Sequence, residues 1–213
     1  MNFRKHFELN GRHAILSPSS WRWINDDPES LVKRLCSQYL APIGTILHSI
    51  AYKHIKHRIK LNKYDKKNVM LELVDQGVPA YVIDTINFDV MYDNFMRYVN
   101  DCIAFKMTPE VVLRYSDNFF GTSDAIRYDE DIRFLRIHDY KSGVAKANMD
   151  QLLAYAGIFC AEYNVDPEKI NVELRIYQLG DIVVHNPEAD ELQNVVDNIK
   201  RGNNDIIYFI KEI

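Results

Sequence analysis

The chain has 213 residues, of which 47% are hydrophobic and 26% are charged, and its formal net charge is −4. This is the composition of an ordinary globular protein, and it excludes a collagen-like, a low-complexity or a disulfide-rich scaffold. The three cysteines, Cys36, Cys102 and Cys160, are widely spaced and odd in number. They predict free and mostly buried thiols.

The first half of the chain is predicted to be mostly helical. From Pro28 to about Phe105, apolar residues recur every three or four positions, in the stretches 28–40, 43–59 and 82–105. Nothing in the composition indicates a long linker, so we expect one domain over residues 1–213, with residues 14–107 as its helical N-terminal part.

The second half, residues 108–213, alternates between short β-rich runs and helical patterns. The runs that predict strands are 111–116, 119–128, 134–142, 170–180 and 181–185. Residues 148–164 carry an apolar stripe at helical spacing, and a last helix is expected from residue 188 to a stop at Gly202. This order predicts an α/β fold, with a central mixed sheet flanked by helices.

The run 134–142 ends in charged residues where its alternation predicts a buried face. Strand periodicity places Leu135, Ile137, Asp139 and Lys141 on the same side. Buried charges are costly unless they are paired or bind a metal, so this strand end is a candidate site. The alternative is that the strand emerges into solvent there and that Asp139 simply pairs with Lys141.

A second carboxylate, Asp124, lies in the preceding run. If residues 129–132 form the hairpin loop, Asp124 lies opposite Ile137 and is the diagonal neighbour of Asp139. Diagonal neighbours on one face are about 7–8 Å apart, and a cation with oxygen ligands can bridge carboxylates at that range. A slip of one residue would send the two aspartates to opposite faces.

Four ordered motifs resemble the signature of the PD-(D/E)XK nucleases, specifically the RecB-like exonuclease branch. They are Gly44-Thr45-x-x-His48, Gly121-x-x-Asp124, Asp139-Tyr140-Lys141-Ser142-Gly143 and Gln151-Leu152-x-x-Tyr155-Ala156. The opening Leu16-Ser17-Pro18-Ser19, followed by Trp21 and Trp23, is also similar, so the resemblance extends from about residue 14 to residue 200. It implies a restriction-endonuclease-like core and a DNA exonuclease.

The resemblance implies a role for each matched residue. Asp124 and Asp139 would bind a divalent metal, with His48 and the main-chain carbonyl of Tyr140 as further ligands. Lys141 would orient or help to deprotonate the attacking water. Oxygen ligands suit Mg²⁺ or Mn²⁺, which can activate water and offset charge on a phosphate. For His48 the alternative is a core histidine, because it shares a helical stripe with apolar residues.

Gln151 and Tyr155 lie one turn apart on the predicted helix and match the last motif. The resemblance gives them a role at the active-site end of that helix and in contacting DNA, whereas the alternative is a helix–sheet packing pair. A row of lysines on the helix after Pro42 is a candidate track for the phosphate backbone if that helix persists, and otherwise a solvated face. Its members are Lys53, Lys56, Lys60 and Lys63, continued by Lys67.

The chain departs from parts of the family pattern. Three scattered cysteines cannot reproduce the four ligands of an iron–sulfur cluster, so we predict none. No G-x-x-x-x-G-K-[ST] phosphate loop is present, which excludes a helicase motor. By analogy with phage recombination exonucleases, DNA and a single-strand annealing protein are the expected partners. No apolar run predicts a membrane span or a secretory signal, so the expected compartment is the cytoplasm.

Three other interpretations remain open from the sequence. The same fold could serve a structure-selective or sequence-specific endonuclease, or a catalytically silent DNA-binding module. The third is a generic α/β domain whose aspartates form surface pairs. The oligomeric state and the polarity of cleavage are not determined by the sequence.

Overall fold

The computed structural model describes residues 3–143 and 145–211, and it contains seven α-helices and one five-stranded sheet in these ranges. The helices are α1 (Pro28–Ser37), α2 (Leu40–His57), α3 (Lys66–Asp75), α4 (Ala80–Thr85), α5 (Phe88–Ala104), α6 (Asp150–Tyr163) and α7 (Ala189–Lys211). The strands are β1 (Thr108–Ser116), β2 (Phe119–Asp129), β3 (Phe134–Tyr140), β4 (Asn171–Gln178) and β5 (Asp181–His185). The predicted α/β class is confirmed.

The strands follow one another in the sheet in the order β1-β2-β3-β4-β5. All neighbours are antiparallel except β3 and β4, which are parallel because α6 carries the chain back across the sheet between them. The sheet is therefore mixed, as predicted.

Two hydrophobic cores lie on opposite faces of the sheet. The first is formed mainly by α2 and α5 and includes Tyr140 and Tyr177 from β3 and β4. The second lies beneath α6 and α7 and includes Leu135 and Ile137 from β3. Successive residues of β3 thus enter different cores, and Asp139 follows Leu135 and Ile137 on the α6 side. The three cysteines are buried and free, as predicted.

The predicted register of the β2–β3 hairpin is wrong by two residues. Asp129 pairs with Phe134 and Ala125 with His138, so the loop is 130–133 instead of 129–132. Arg133 has a left-handed φ of 49°, which closes the turn one residue later than predicted. A shift of two keeps both aspartates on the same face. The register places Asp124 directly opposite Asp139, which brings them closer than diagonal neighbours.

Two helix predictions also differ from the structure. The stretch 82–105 is split between α4 and α5, because the Asn87 side chain accepts a hydrogen bond from Val90 N at 3.4 Å and starts a new helix. The predicted stop at Gly202 is wrong, since α7 continues to Lys211 and Gly202 instead packs against the Phe119 ring.

The row of lysines is not one ridge, because α2 ends at His57 and Arg58 adopts the left-handed conformation. Lys60 and Lys63 therefore lie beyond the helix.

Candidate metal centre

Asp124 and Asp139 form the centre of the candidate site on β2 and β3. The Tyr140 main-chain N–H donates to Asp124 Oδ2 at 3.3 Å, which fixes this carboxylate against β3. Asp139 is only 3% exposed, although it carries a carboxyl group. Burial, together with the charge of Asp124, raises the pKa of Asp139 to about 7. Burial also raises the pKa of Asp124.

His48 reaches the same centre from α2. Its Nδ1 lies 3.4 Å from Asp124 Oδ2, and burial lowers the pKa of the ring although Asp139 acts in the opposite direction. The imidazole is therefore neutral at physiological pH, which is the form that binds a metal. The Tyr140 side chain packs against Phe95 and Tyr98, and its ring lies edge-on to His48 with the ring centroids 6.1 Å apart.

A third acidic group, Glu110 on β1, was not predicted from the sequence. Single ligand atoms of His48, Glu110 and Asp124 all lie within 4.8 Å of one another. Ligands that surround a single ion at about 2.0–2.6 Å fit that spacing. Glu110 lies opposite Asp124 in the β1–β2 register and has a left-handed φ of 53°. No simple sequence signal could have revealed it, because this conformation breaks the strand alternation and favours glycine.

The donor set fits a divalent cation. Asp139 Oδ2 is buried and accepts no well-aligned hydrogen bond from residues 3–143 and 145–211. Lys141 Nζ lies 3.0 Å from this oxygen but hydrogen-bonds Oδ1, at 3.1 Å. Two carboxylates and an imidazole with ligand atoms this close suit one divalent cation, and the buried Asp139 beside them would gain a further favourable interaction from its charge.

Lys141 connects this centre to α6. Its Nζ donates to Gln151 Oε1 at 2.9 Å, and Gln151 Nε2 lies 3.5 Å from the Tyr155 hydroxyl. The Tyr155 ring in turn packs on Gly121. The structure thus brings Asp139, Lys141, Gln151 and Tyr155 into one connected group beside the candidate metal ligands His48, Glu110 and Asp124.

Two further contacts position the segment that follows Lys141. A Cβ atom on Gly44 would lie 2.8 Å from Ser142 Oγ, so α2 packs directly against this segment. Gln178, which the sequence did not single out, is 7% exposed and makes three hydrogen bonds to the same segment. Its Nε2 donates to the carbonyls of Gly143 and Ala145 at 2.7 Å, and its Oε1 accepts from Ala147 N at 2.9 Å.

The predicted DNA-binding lysines do not join this group as one surface. Lys53 pairs with Glu72 at 3.3 Å, Lys56 donates to the Tyr52 hydroxyl at 2.9 Å, and Lys63 lies over the Tyr64 ring. The exposed Lys60 lies in the connection after α2. A role for each in binding DNA stays a prediction, but the continuous helical track does not exist.

The chain is a mixed α/β protein with a candidate metal centre where three β-strands, β1, β2 and β3, meet the helix α2. Residues 13–206 match the model of a family described as a protein of unknown function, DUF2800, and the chain belongs to that family. The comparisons with curated proteins and with solved structures give no match. In the described ranges, no helix has both the length and the apolar character needed to cross a bilayer.

Proposed function

We propose that the chain is a Mg²⁺- or Mn²⁺-dependent DNA nuclease, an exonuclease that hydrolyses phosphodiester bonds. The observation that carries this proposal is the convergence of ligand atoms from His48, Glu110 and Asp124 within 4.8 Å of one another, beside the buried Asp139 and its ion pair with Lys141. The resemblance to RecB-like nucleases supports it independently, since His48, Asp124, Asp139, Lys141, Gln151 and Tyr155 meet at one place.

In this proposal, some residues of the site hold the metal ion and Lys141 acts on the water and the phosphate. When bound, Mg²⁺ or Mn²⁺ lowers the pKa of the attacking water and offsets charge on the scissile phosphate. His48, Glu110, Asp124, Asp139 and the Tyr140 carbonyl would hold the ion. Lys141, held between Asp139 and Gln151, orients the water and faces the developing negative charge.

The proposal is tested with end-labelled linear DNA and covalently closed circular DNA of the same sequence, incubated with Mg²⁺, Mn²⁺ or EDTA. We expect metal-dependent loss of the linear DNA alone, and the position of the label reveals the polarity. Asp139→Ala should abolish cleavage, and Lys141→Ala should abolish turnover while the metal still binds. Cleavage of the circle would identify an endonuclease instead.

A folded protein that binds DNA but cleaves neither substrate would overturn the enzymatic proposal and favour a silent DNA-binding module. Circular dichroism of each variant separates loss of activity from loss of fold. In the proposed setting the partners are DNA and a single-strand annealing protein, and the reaction takes place in the cytoplasm.

A further inference from the structure

A cavity of about 860 Å³ lies next to the candidate metal centre, between α1, the first half of α5 and the end of β3. This volume is in the range of about 300–1,000 Å³ that is typical of ligand sites. Lys141 and Ser142 line it, so the cavity opens onto the residues that follow Asp139. Whatever occupies the cavity therefore lies beside the proposed point of cleavage.

The cavity wall contains one buried polar atom that lacks a partner. Asn94 on α5 lines the cavity and is 1% exposed. Its Nδ2 donates to the Asp181 carbonyl at 2.8 Å, whereas its Oδ1 has no hydrogen-bond partner in the described part of the chain. A buried unsatisfied acceptor is costly, so the cavity is suited to a ligand that brings a hydrogen-bond donor.

The rest of the lining indicates a ligand that is largely apolar and uncharged. Most of the wall is apolar, and residues such as Met91 and Leu179 contribute to it. The cations at the rim are already neutralised, since Arg34 pairs with Asp26 at 2.8 Å and Lys33 with Glu29 at 2.7 Å. A phosphate would find no free cation there other than Lys141, which itself is held by Asp139.

We propose that this cavity receives an unstacked nucleobase of the DNA strand, adjacent to the phosphate that is cleaved. A base offers apolar faces to the wall and N–H donors at its edge for Asn94 Oδ1. This inference rests on the proposed function. It adds that a nucleobase of the substrate, bound in this cavity, holds the DNA strand in place for cleavage.

The test uses a short single-stranded oligonucleotide that carries one 2-aminopurine, in EDTA so that the strand stays intact. The fluorescence of this base increases when it leaves the stack. We expect an increase on binding to the wild type, and none with Asn94→Leu or with Ser37→Phe, which adds a bulky ring to the cavity wall on α1. Both variants should bind the oligonucleotide with a Kd about tenfold higher, which is the effect of losing one hydrogen bond or an equivalent contact.

Asn100→Leu is the matched control on the same helix. The Asn100 amide is fully used by the Leu61 main chain, at 2.9 and 2.8 Å, so this variant loses stability but should keep the fluorescence response. In cleavage assays, the two cavity variants should raise KM about tenfold and leave kcat close to that of the wild type.

The outcomes separate the two proposals. If the variants bind and fluoresce like the wild type while cleavage persists, the base site is wrong and the nuclease stands. If 2-aminopurine responds as expected but no metal supports cleavage, the base site stands and the nuclease fails. If the wild type shows no response, the base site is overturned whatever the cleavage assay gives.

Discussion

A Cβ atom on Gly121 would lie 2.9 Å from Cε1 of Tyr155, so the tyrosine ring rests directly on the main chain of β2. The glycine of the G-x-x-D motif and the tyrosine of the Q-x-x-x-Y motif therefore form a single contact. This contact sets the distance between α6 and the sheet at the candidate site. Since Lys141 is held from α6 through Gln151, the lysine depends on that distance.

Gly121→Ala should therefore disturb both stability and catalysis. We expect a loss of about 1–3 kcal/mol in the free energy of unfolding, which is typical of overpacking, and a lower kcat. Urea unfolding and the DNA cleavage assay measure the two effects. Gly143→Ala is the control, because a Cβ there meets no described atom within 4 Å. If adding Tyr155→Ala does not relieve the cost of Gly121→Ala, the proposed contact is not its cause.

Glu110 is expected to be a metal ligand held in a strained conformation. At its φ of 53°, Glu110→Gly should fold about 1 kcal/mol more stably than Glu110→Ala, because glycine adopts this conformation without strain. Both variants should lose metal affinity to the same extent. Thermal unfolding in EDTA and calorimetric titration with Mn²⁺ measure the two quantities. Unchanged Mn²⁺ affinity in Glu110→Ala would remove Glu110 from the ligand set.

Asp139 is expected to destabilise the metal-free protein at alkaline pH. Its pKa is about 7 in the folded state against the ordinary 3.8, so the folded state favours the protonated form. The protonated side chain stabilises the folded state fully below about pH 4. This stabilisation is lost as the pH rises through 7 and the carboxyl group ionises. Asp139→Asn should thus raise the free energy of unfolding by about 1–2 kcal/mol at pH 8, and by less at pH 5.

Melting curves in EDTA at the two pH values test this prediction, and the cleavage assay should show no activity at either. An equal change at pH 5 and pH 8 would show that removal of the charge is not what stabilises the variant.

His48 should influence which metal the site prefers. An imidazole with carboxylates favours Mn²⁺ over Mg²⁺ more than an all-oxygen set does. His48→Asp should therefore lower the ratio of Mn²⁺- to Mg²⁺-supported cleavage severalfold. His57→Asp, at the exposed end of the same helix, is the control and should leave the ratio unchanged. A ratio that is insensitive to His48→Asp would place the histidine outside the ligand set.

On the opposite face of the sheet, Glu173 contributes stability that depends on pH. His138, Arg175 and Arg136 lower the pKa of Glu173 to about 2. A lowered pKa gives stability that is present above the ordinary value of 4.5 and is lost as the pH falls towards 2. Glu173→Gln should cost about 2 kcal/mol at pH 7 and much less near pH 2. Urea unfolding at both values measures this, and Glu130→Gln in the exposed hairpin loop should show no such difference.

The fold class was predictable because hydrophobic periodicity reports which residues are buried. The paired aspartates could also be predicted from the sequence, since Asp139 ends a row of apolar residues on β3. The strand register was harder to predict, because no local sequence signal indicates that Arg133 adopts a left-handed conformation and shifts the turn. The sequence left open whether the helix continues beyond residue 59 along the row of lysines, and the left-handed conformation of Arg58 ends α2 before most of that row.

Glu110 and Gln178 were not predictable, because both act through tertiary contacts. Glu110 is brought to the site by its pairing with β2 and by a backbone conformation that favours glycine. Gln178 is the last residue of β4, and its three hydrogen bonds go to the segment after Lys141, which is distant in sequence. Local patterns contain no information about either arrangement.

Because the sheet separates the two cores, a mutation that destabilises one core should have little effect on the packing of the other. Leu73 belongs to the core on the α2 side and Leu192 to the core on the α7 side. Truncations at such positions should be additive, because the side chains share no neighbours. The candidate metal ligands come from β-strands and from α2, which packs on one of those cores, so a cation bound there would couple the two halves. Cation binding should therefore slow amide hydrogen exchange in α2 and in the sheet together.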